Sequence, residues 1–168
     1  MTSADKLADI YAGGSYEIKE VYRLVFQPKS VLREFRTVKH GFLFVVRGEA
    51  MMSVDGTVYE LQQGSVFHAA PGMRLDAQVT SPSEYEYYTV LYSFDEAGGS
   101  RECDRHFLLE PAANPRVTEL LSVLHQSART LDGIGRLRVK QLFLSVMDQI
   151  LTGCKHRESG SAPGQQNI

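Results

Sequence analysis

Five histidines and two cysteines are the residues of this 168-residue chain best suited to hold a metal or attack a substrate. Their spacing supports neither role. His40, His68, His106, His125 and His156 stand singly, with no His-x-His or His-x-x-x-His pair to anchor a transition metal. Cys103 and Cys154 lie far apart, follow no ligand or redox spacing, and read as free thiols of a reducing compartment. Cys154 is close to His156, but at a fraying helix end and not in a nucleophile–base signature. A G-x-S-x-G elbow, a phosphate-binding loop and a dinucleotide fingerprint are all missing from the sequence.

What remains is binding chemistry, carried by polar groups on apolar strands. His68 sits within SVFHAA, and Tyr85, Tyr87, Tyr88 and Tyr92 crowd one extended stretch. Small-molecule pockets are mostly apolar with a few placed hydrogen-bonding groups, and the mouth of a barrel is a favoured place for them. Tyrosine suits such a wall because its ring is rigid and its hydroxyl is a polar tip. Alternation along a strand sends some of these tyrosines outward, and the inward parity stays open at this stage. A single histidine on an apolar strand is more often a hydrogen-bonded core residue than a ligand, and His68 is read that way first.

The elements that must position these groups fall into three zones. Residues 1–14 end in Gly13-Gly14 and read as a flexible arm. From residue 15 short extended runs begin: Tyr16, Ile18, Tyr22, Leu24 and Phe26 recur every second position, with Glu20 interrupting. GFLFVV, residues 41–46, suits a strand buried on both faces. Asp55-Gly56 between MMSV and TVYEL predicts a type I′ hairpin, whose two central residues both need positive φ. Turns at Gly64 and Pro71-Gly72 and a strand through Tyr85 continue the series, which predicts an antiparallel sandwich or barrel over residues 15–110.

After that the period becomes helical. Asn114-Pro115 provides a cap followed by proline at the first helical position, and Val117, Leu120, Leu121, Leu124 and Ala128 form one apolar stripe. A second helix over 135–152 is apolar across a wider arc. Val139, Leu142, Phe143, Val146, Met147 and Ile150 make one stripe, and Leu137, Leu144 and Leu151, seven apart, make another. A helix resting on one sheet needs an arc of only about 100°, so the leucine row is expected to be a dimer seam, within a helical dimerisation segment over 111–154. Residues 155–168 read as a disordered tail.

Composition excludes several classes. The 43% hydrophobic and 23% charged residues are those of a globular domain, and the net charge of −2 argues against a nucleic-acid surface. The small cluster Arg33, Arg36, Lys39 and His40 reads as a solvated loop. No apolar run approaches the ~20 residues of a membrane span, and the first residues lack a secretion signal, so no membrane contact and a cytoplasmic location are expected.

The run FLFVVRGEAMMSVDGTVYELQQGSVFHAAPG resembles a cupin core: a strand ended by Gly48, the Asp55-Gly56 hairpin, then Gly64 opening a second motif and Pro71-Gly72 closing it. With the two helices after Pro115, the chain is similar to the N-terminal effector-binding and dimerisation domain of AraC-type transcriptional regulators. The resemblance implies a mainly β fold, a cupin-like jelly-roll antiparallel barrel followed by a C-terminal pair of α-helices. It also implies a small-molecule effector, a homodimer, and contact with DNA only through a helix-turn-helix half, roughly a hundred further residues, that these 168 lack. Metal-dependent cupins place histidines and a glutamate at positions that fall around Phe35 to Thr37, on Gly41 and on Leu75. None of these can ligate, so a metal-free binding barrel is expected, with no cofactor and no catalysis.

By the same resemblance Arg33 aligns with an effector-contacting arginine, and Tyr87 and Thr89 fall on the ligand-facing strand. With His40, Phe44, His68 and Arg74 they form the expected ligand-contacting set, Arg74 serving an anionic ligand. Two rivals stay open: a small metal-dependent cupin enzyme using Glu34, His40 and His68, and a structural or storage barrel.

Overall fold

The computed structural model describes residues 3–94 and 101–160. Nine strands build two antiparallel sheets. One contains β1 (Tyr16–Phe26), β8 (Tyr85–Phe94), β3 (His40–Arg47), β6 (Val66–Ala69) and β9 (Phe107–Leu109), in that order. The other contains β2 (Val31–Arg36), β7 (Arg74–Val79), β4 (Ala50–Val54) and β5 (Thr57–Leu61). This interleaving of sequence-distant strands is jelly-roll topology, a cupin-like sandwich as expected. Three helices follow the chain order α1 (Ala4–Gly13), α2 (Pro115–Ser127) and α3 (Gly133–Gly160), with a short 3-10 turn, Arg101–Asp104, before β9.

Local sequence accounts for the turns. Asp55 and Gly56 have φ of 46° and 91°, and Val54 pairs with Thr57, giving the expected two-residue hairpin. Gly48, at φ 83°, has no substitute: a Cβ there would stand 2.4 Å from the Glu84 carbonyl oxygen. Asn114 caps α2, its side chain accepting from the Arg116 amide at 2.9 Å, with Pro115 at the first helical position.

The first sheet is buried on both faces, which gives two apolar layers. Between the sheets lie Val45, Met52, Val54, Leu61, Phe67 and Tyr85. Between the first sheet and the helices lie Phe42, Phe44, Val90, Tyr92, Leu121 and Phe143. Successive residues of β3 and β8 therefore serve opposite layers. β1 changes face partway: the register shifts between Ile18 and Glu20, so Tyr16 and Ile18 face the helices while Phe26 faces the second sheet. The interruption at Glu20 is this bulge, and the one-residue slip inverts every side chain beyond it.

The N-terminal segment corrects the expectation of a flexible arm. It forms α1, capped by the Ser3 hydroxyl accepting from the Lys6 amide at 3.2 Å. Ala4, Leu7 and Tyr11 recur on one helical face and are buried against α3 and the first sheet. Glu158 accepts from the Ala4 amide, and Lys155 reaches Asp5 at 3.0 Å. The tail expectation is corrected in part, because α3 continues to Gly160; residues 161–168 lie outside the described residues.

Docking of α1 also breaks up the leucine row. Leu151 is 7% exposed and, with Leu144 at its edge, walls a groove shared with Ala4, Ala8 and Tyr11, whereas Leu137 is 72% exposed and Leu144 37%. Ile134, Leu137 and Leu144 are the apolar residues of α3 left uncovered. No helix among the described residues is long and apolar enough to cross a membrane.

Candidate functional site

The seven residues expected around a ligand are distributed over three separate surfaces. Arg33 and Arg74 are exposed on the second sheet; Arg74 holds Glu34 at 3.3 Å and Asp76 at 3.7 Å on its outer face. Phe44, His68 and His40 lie on the helix side of the first sheet. Tyr87 and Thr89 face the space between the sheets, as register partners of Val45 and Leu43. Strand parity decides this: His68 and Phe44 are one residue out of phase with the inward-facing Phe67 and Val45.

The polar groups on the helix side form one network around His68, with His40 Nε2 left outside it, buried without a hydrogen-bond partner and 3.8 Å from Asp104. His68 is fully buried; its Nδ1 stands 3.0 Å from the Arg105 carbonyl oxygen and its Nε2 2.8 Å from the Tyr92 hydroxyl. Burial, reinforced by His40, holds its pKa down to about 3 against the opposing Arg105 carbonyl, so the ring is neutral. Nδ1 then carries the proton and donates to the carbonyl, and Tyr92 donates to Nε2. The Tyr11 hydroxyl from α1 donates in turn to Tyr92, and the Cys103 thiol lies 3.4 Å from Tyr11. Burial pushes the Tyr11, Tyr92 and Cys103 groups up, so all stay protonated. Saturated and packed among rings, this network anchors α1 and offers no place for a substrate.

The metal positions of the resemblance fit no metal. Phe35 and Leu75 are register partners, an apolar pair where histidines would stand. A Cβ on Gly41 would come within 2.8 Å of Leu91 Cδ2, so that leucine fills the corner a glutamate would need. Glu34 is on the outer face of the second sheet while His68 lies under the helices, so the rival trio of Glu34, His40 and His68 does not converge. Among the described residues no group of three His, Cys, Asp or Glu is placed to hold a metal ion.

A separate space lies between the sheets. A cavity of about 70 Å³ is walled by Phe26, Leu43, Met52, Ala77, Tyr85 and Tyr87. Phe26 and Tyr87 stack at 6.0 Å with planes 21° apart, and Tyr87 also meets Tyr85 at 5.2 Å. Burial raises the Tyr87 phenol to about 12 and the Tyr85 phenol further. The lip is formed where β1 passes into β2, and Val31 and Leu32 there are 50% and 38% exposed. Tyr85 was visible in the sequence as one of the clustered tyrosines, but no local signal distinguishes its face toward the second sheet from the face of Tyr88 toward the helices.

A family described as the AraC-like ligand binding domain matches residues 33–147. Similar solved structures include a cupin 2 conserved barrel domain protein from Salinispora arenicola, 17% identical at TM-score 0.40, covering 50% of this chain and 65% of that one. An rmlc-like cupin family protein with a double-stranded beta-helix fold from Methanocaldococcus jannaschii is 10% identical at TM-score 0.41, covering 49% of this chain and 84% of that one. The coconut allergen cocosin is 16% identical at TM-score 0.43, covering 55% of this chain and 28% of its own. The chain thus spans less than two thirds of the Salinispora protein and of cocosin. No curated protein matches the chain.

Proposed function

The chain belongs to the AraC-like ligand-binding domain family, and from that footing we propose that it is the effector-binding and dimerisation domain of a transcriptional regulator. A small molecule enters between the sheets, and α3 joins two copies. The cavity behind Tyr87 and Phe26 carries this reading, because it is a mostly apolar, tyrosine-walled recess with a few polar groups, the make-up of small-ligand sites. β3 and β8 supply the relay. Leu43, Tyr85 and Tyr87 meet the cavity, while Phe42, Tyr88 and Tyr92 on the same strands meet the helical layer. A ligand that displaces these strands slightly alters the seat of the helices, and so shifts the population of dimer arrangements presented to an attached DNA-binding half.

Filling the cavity tests the first part. In a metabolite screen, the effector is expected to raise the melting temperature of the parent and to leave that of Ala77→Phe unchanged. A ligand bound equally well by that variant overturns the assignment of the cavity. For the dimer, the uncovered Ile134, Leu137 and Leu144 replace the original leucine row as the contact. Sedimentation should show a dimeric parent and a monomeric Leu137→Glu; a monomeric parent or a dimeric variant sinks this contact.

A further inference from the structure

The wall of the cavity also restricts what it can hold, and the following rests on the reading of that cavity as the effector site. Among the described residues that wall it, none is acidic, basic or a histidine. Nearby charges are committed elsewhere: Arg23 pairs with Glu86 at 2.7 Å, and Arg74 with Glu34, both on exposed faces. An ionised ligand would lose its hydration and meet no counter-charge, an unfavourable exchange in an apolar enclosure.

One polar group in the wall is unanswered. The Tyr85 hydroxyl is buried without a hydrogen-bond partner, although Tyr85 is only 4% exposed. A buried hydroxyl left unpaired is a standing cost, which a bound partner removes. The surface around it is mostly aromatic and aliphatic, with Ser30 and Gln78 also in the wall, and Phe26 and Tyr87 are already stacked as a flat panel. The volume, about 70 Å³, is well below the roughly 300 Å³ at which drug-sized pockets begin. Besides Tyr85, the polar side chains of the wall are Ser30, Gln78 and Tyr87, too few to answer the many hydroxyls of a sugar.

From this orphan hydroxyl, the aromatic panel and the uncharged wall we infer that the ligand is a small neutral molecule with one flat apolar ring and a single hydrogen-bonding group that pairs with Tyr85. The fit is to the class of simple phenols and related one-ring neutrals.

Phenol, toluene, benzoate and glucose, titrated separately into the 168-residue chain and followed by amide NMR, test it. Phenol is expected to give saturable shifts around Met52, Ala77 and Tyr85, toluene weaker ones, and benzoate and glucose none. Tyr85→Phe should lower phenol affinity about tenfold, the loss of one hydrogen bond, and leave toluene unchanged. Ala77→Phe, or Ala77→Leu if the larger residue does not fold, should abolish both. Preference for benzoate or glucose, lost on filling the cavity, overturns the ligand class and leaves the cavity as the effector site. Phenol binding that ignores Tyr85→Phe overturns the role of the hydroxyl, and silence from all four probes overturns the ring inference. Binding that survives the filled cavity overturns the cavity assignment itself.

Discussion

Phe143→Ala is expected to cost about 3–5 kcal/mol in urea unfolding and to free α1 from the body of the domain. Phe143 has no solvent exposure. Its ring lies 6.1 Å from Tyr11, 5.9 Å from Tyr16 and 6.1 Å from Phe42, so α1, β1, β3 and α3 meet on this one side chain. Edge-on aromatic pairs add about 0.5–1.5 kcal/mol each beyond burial, and truncation leaves a cavity that two strands and two helices cannot jointly close. α1 is the weakest partner, because a ten-residue helix is marginal without docking. Amide exchange at Leu7 and Tyr11 should therefore accelerate more than exchange in β3. Phe143→Leu, which keeps most of the volume, should cost less. Uniform acceleration across α1 and β3 would show that α1 is held by its other contacts.

Acidification is expected to remove stability through His68 before any carboxylate titrates. The folded ring stays neutral down to about 3, while an unfolded histidine protonates near 6.5. The unfolded chain thus binds the extra proton, and stability falls with pH. The contribution is complete above about 6.5 and is lost progressively toward 3, at about 1.4 kcal/mol per pH unit. Phe42, Phe107, His40, Tyr92 and the Arg105 carbonyl pack on the ring, and behind them stand Tyr11 and Cys103 beside Tyr92 and Asp104 beside His40. Burial lowers the His40 pKa too, with Asp104 opposing, so it acts in the same direction. Glu20 and Glu84 are held below the ordinary carboxylate range, Glu20 first by Tyr22 and Glu84 first by Gln27, and they enter at lower pH. Between pH 7 and 5 the parent should lose on the order of 2 kcal/mol. His68→Gln should start less stable and show a much flatter dependence across that window. An equal slope in the two proteins would remove His68 as the cause.

The features read correctly from sequence are those that a few neighbouring residues control. Asp55-Gly56 specifies its hairpin because its two residues tolerate positive φ, and Asn114-Pro115 specifies a helix start because cap and ring act within one turn. The order of these signals also identified the family, since Gly48, Gly64 and Pro71-Gly72 punctuate the barrel at its characteristic intervals. The GFLFVV run announced a strand with two apolar faces, and β3 indeed serves two layers.

Which layer each face meets was a different matter. Alternation gives parity only up to a choice, and that choice depends on where the helices lie. His68 and Phe44 fell under α2 and α3 while Tyr85 and Tyr87 fell into the cavity, although all occupy apolar strands of similar composition. Leu151 matched Leu137 and Leu144 in spacing, yet α1 covers it and leaves Leu137 open. The ten residues of α1 carried an amphipathic stripe too short to be stable alone, so only its docking on α3 decided its structure. The sequence by itself determined the strands, turns, helix starts and family. The tertiary structure alone decided which side chains share a space, because burial is a property of the assembled layers and not of any window along the chain.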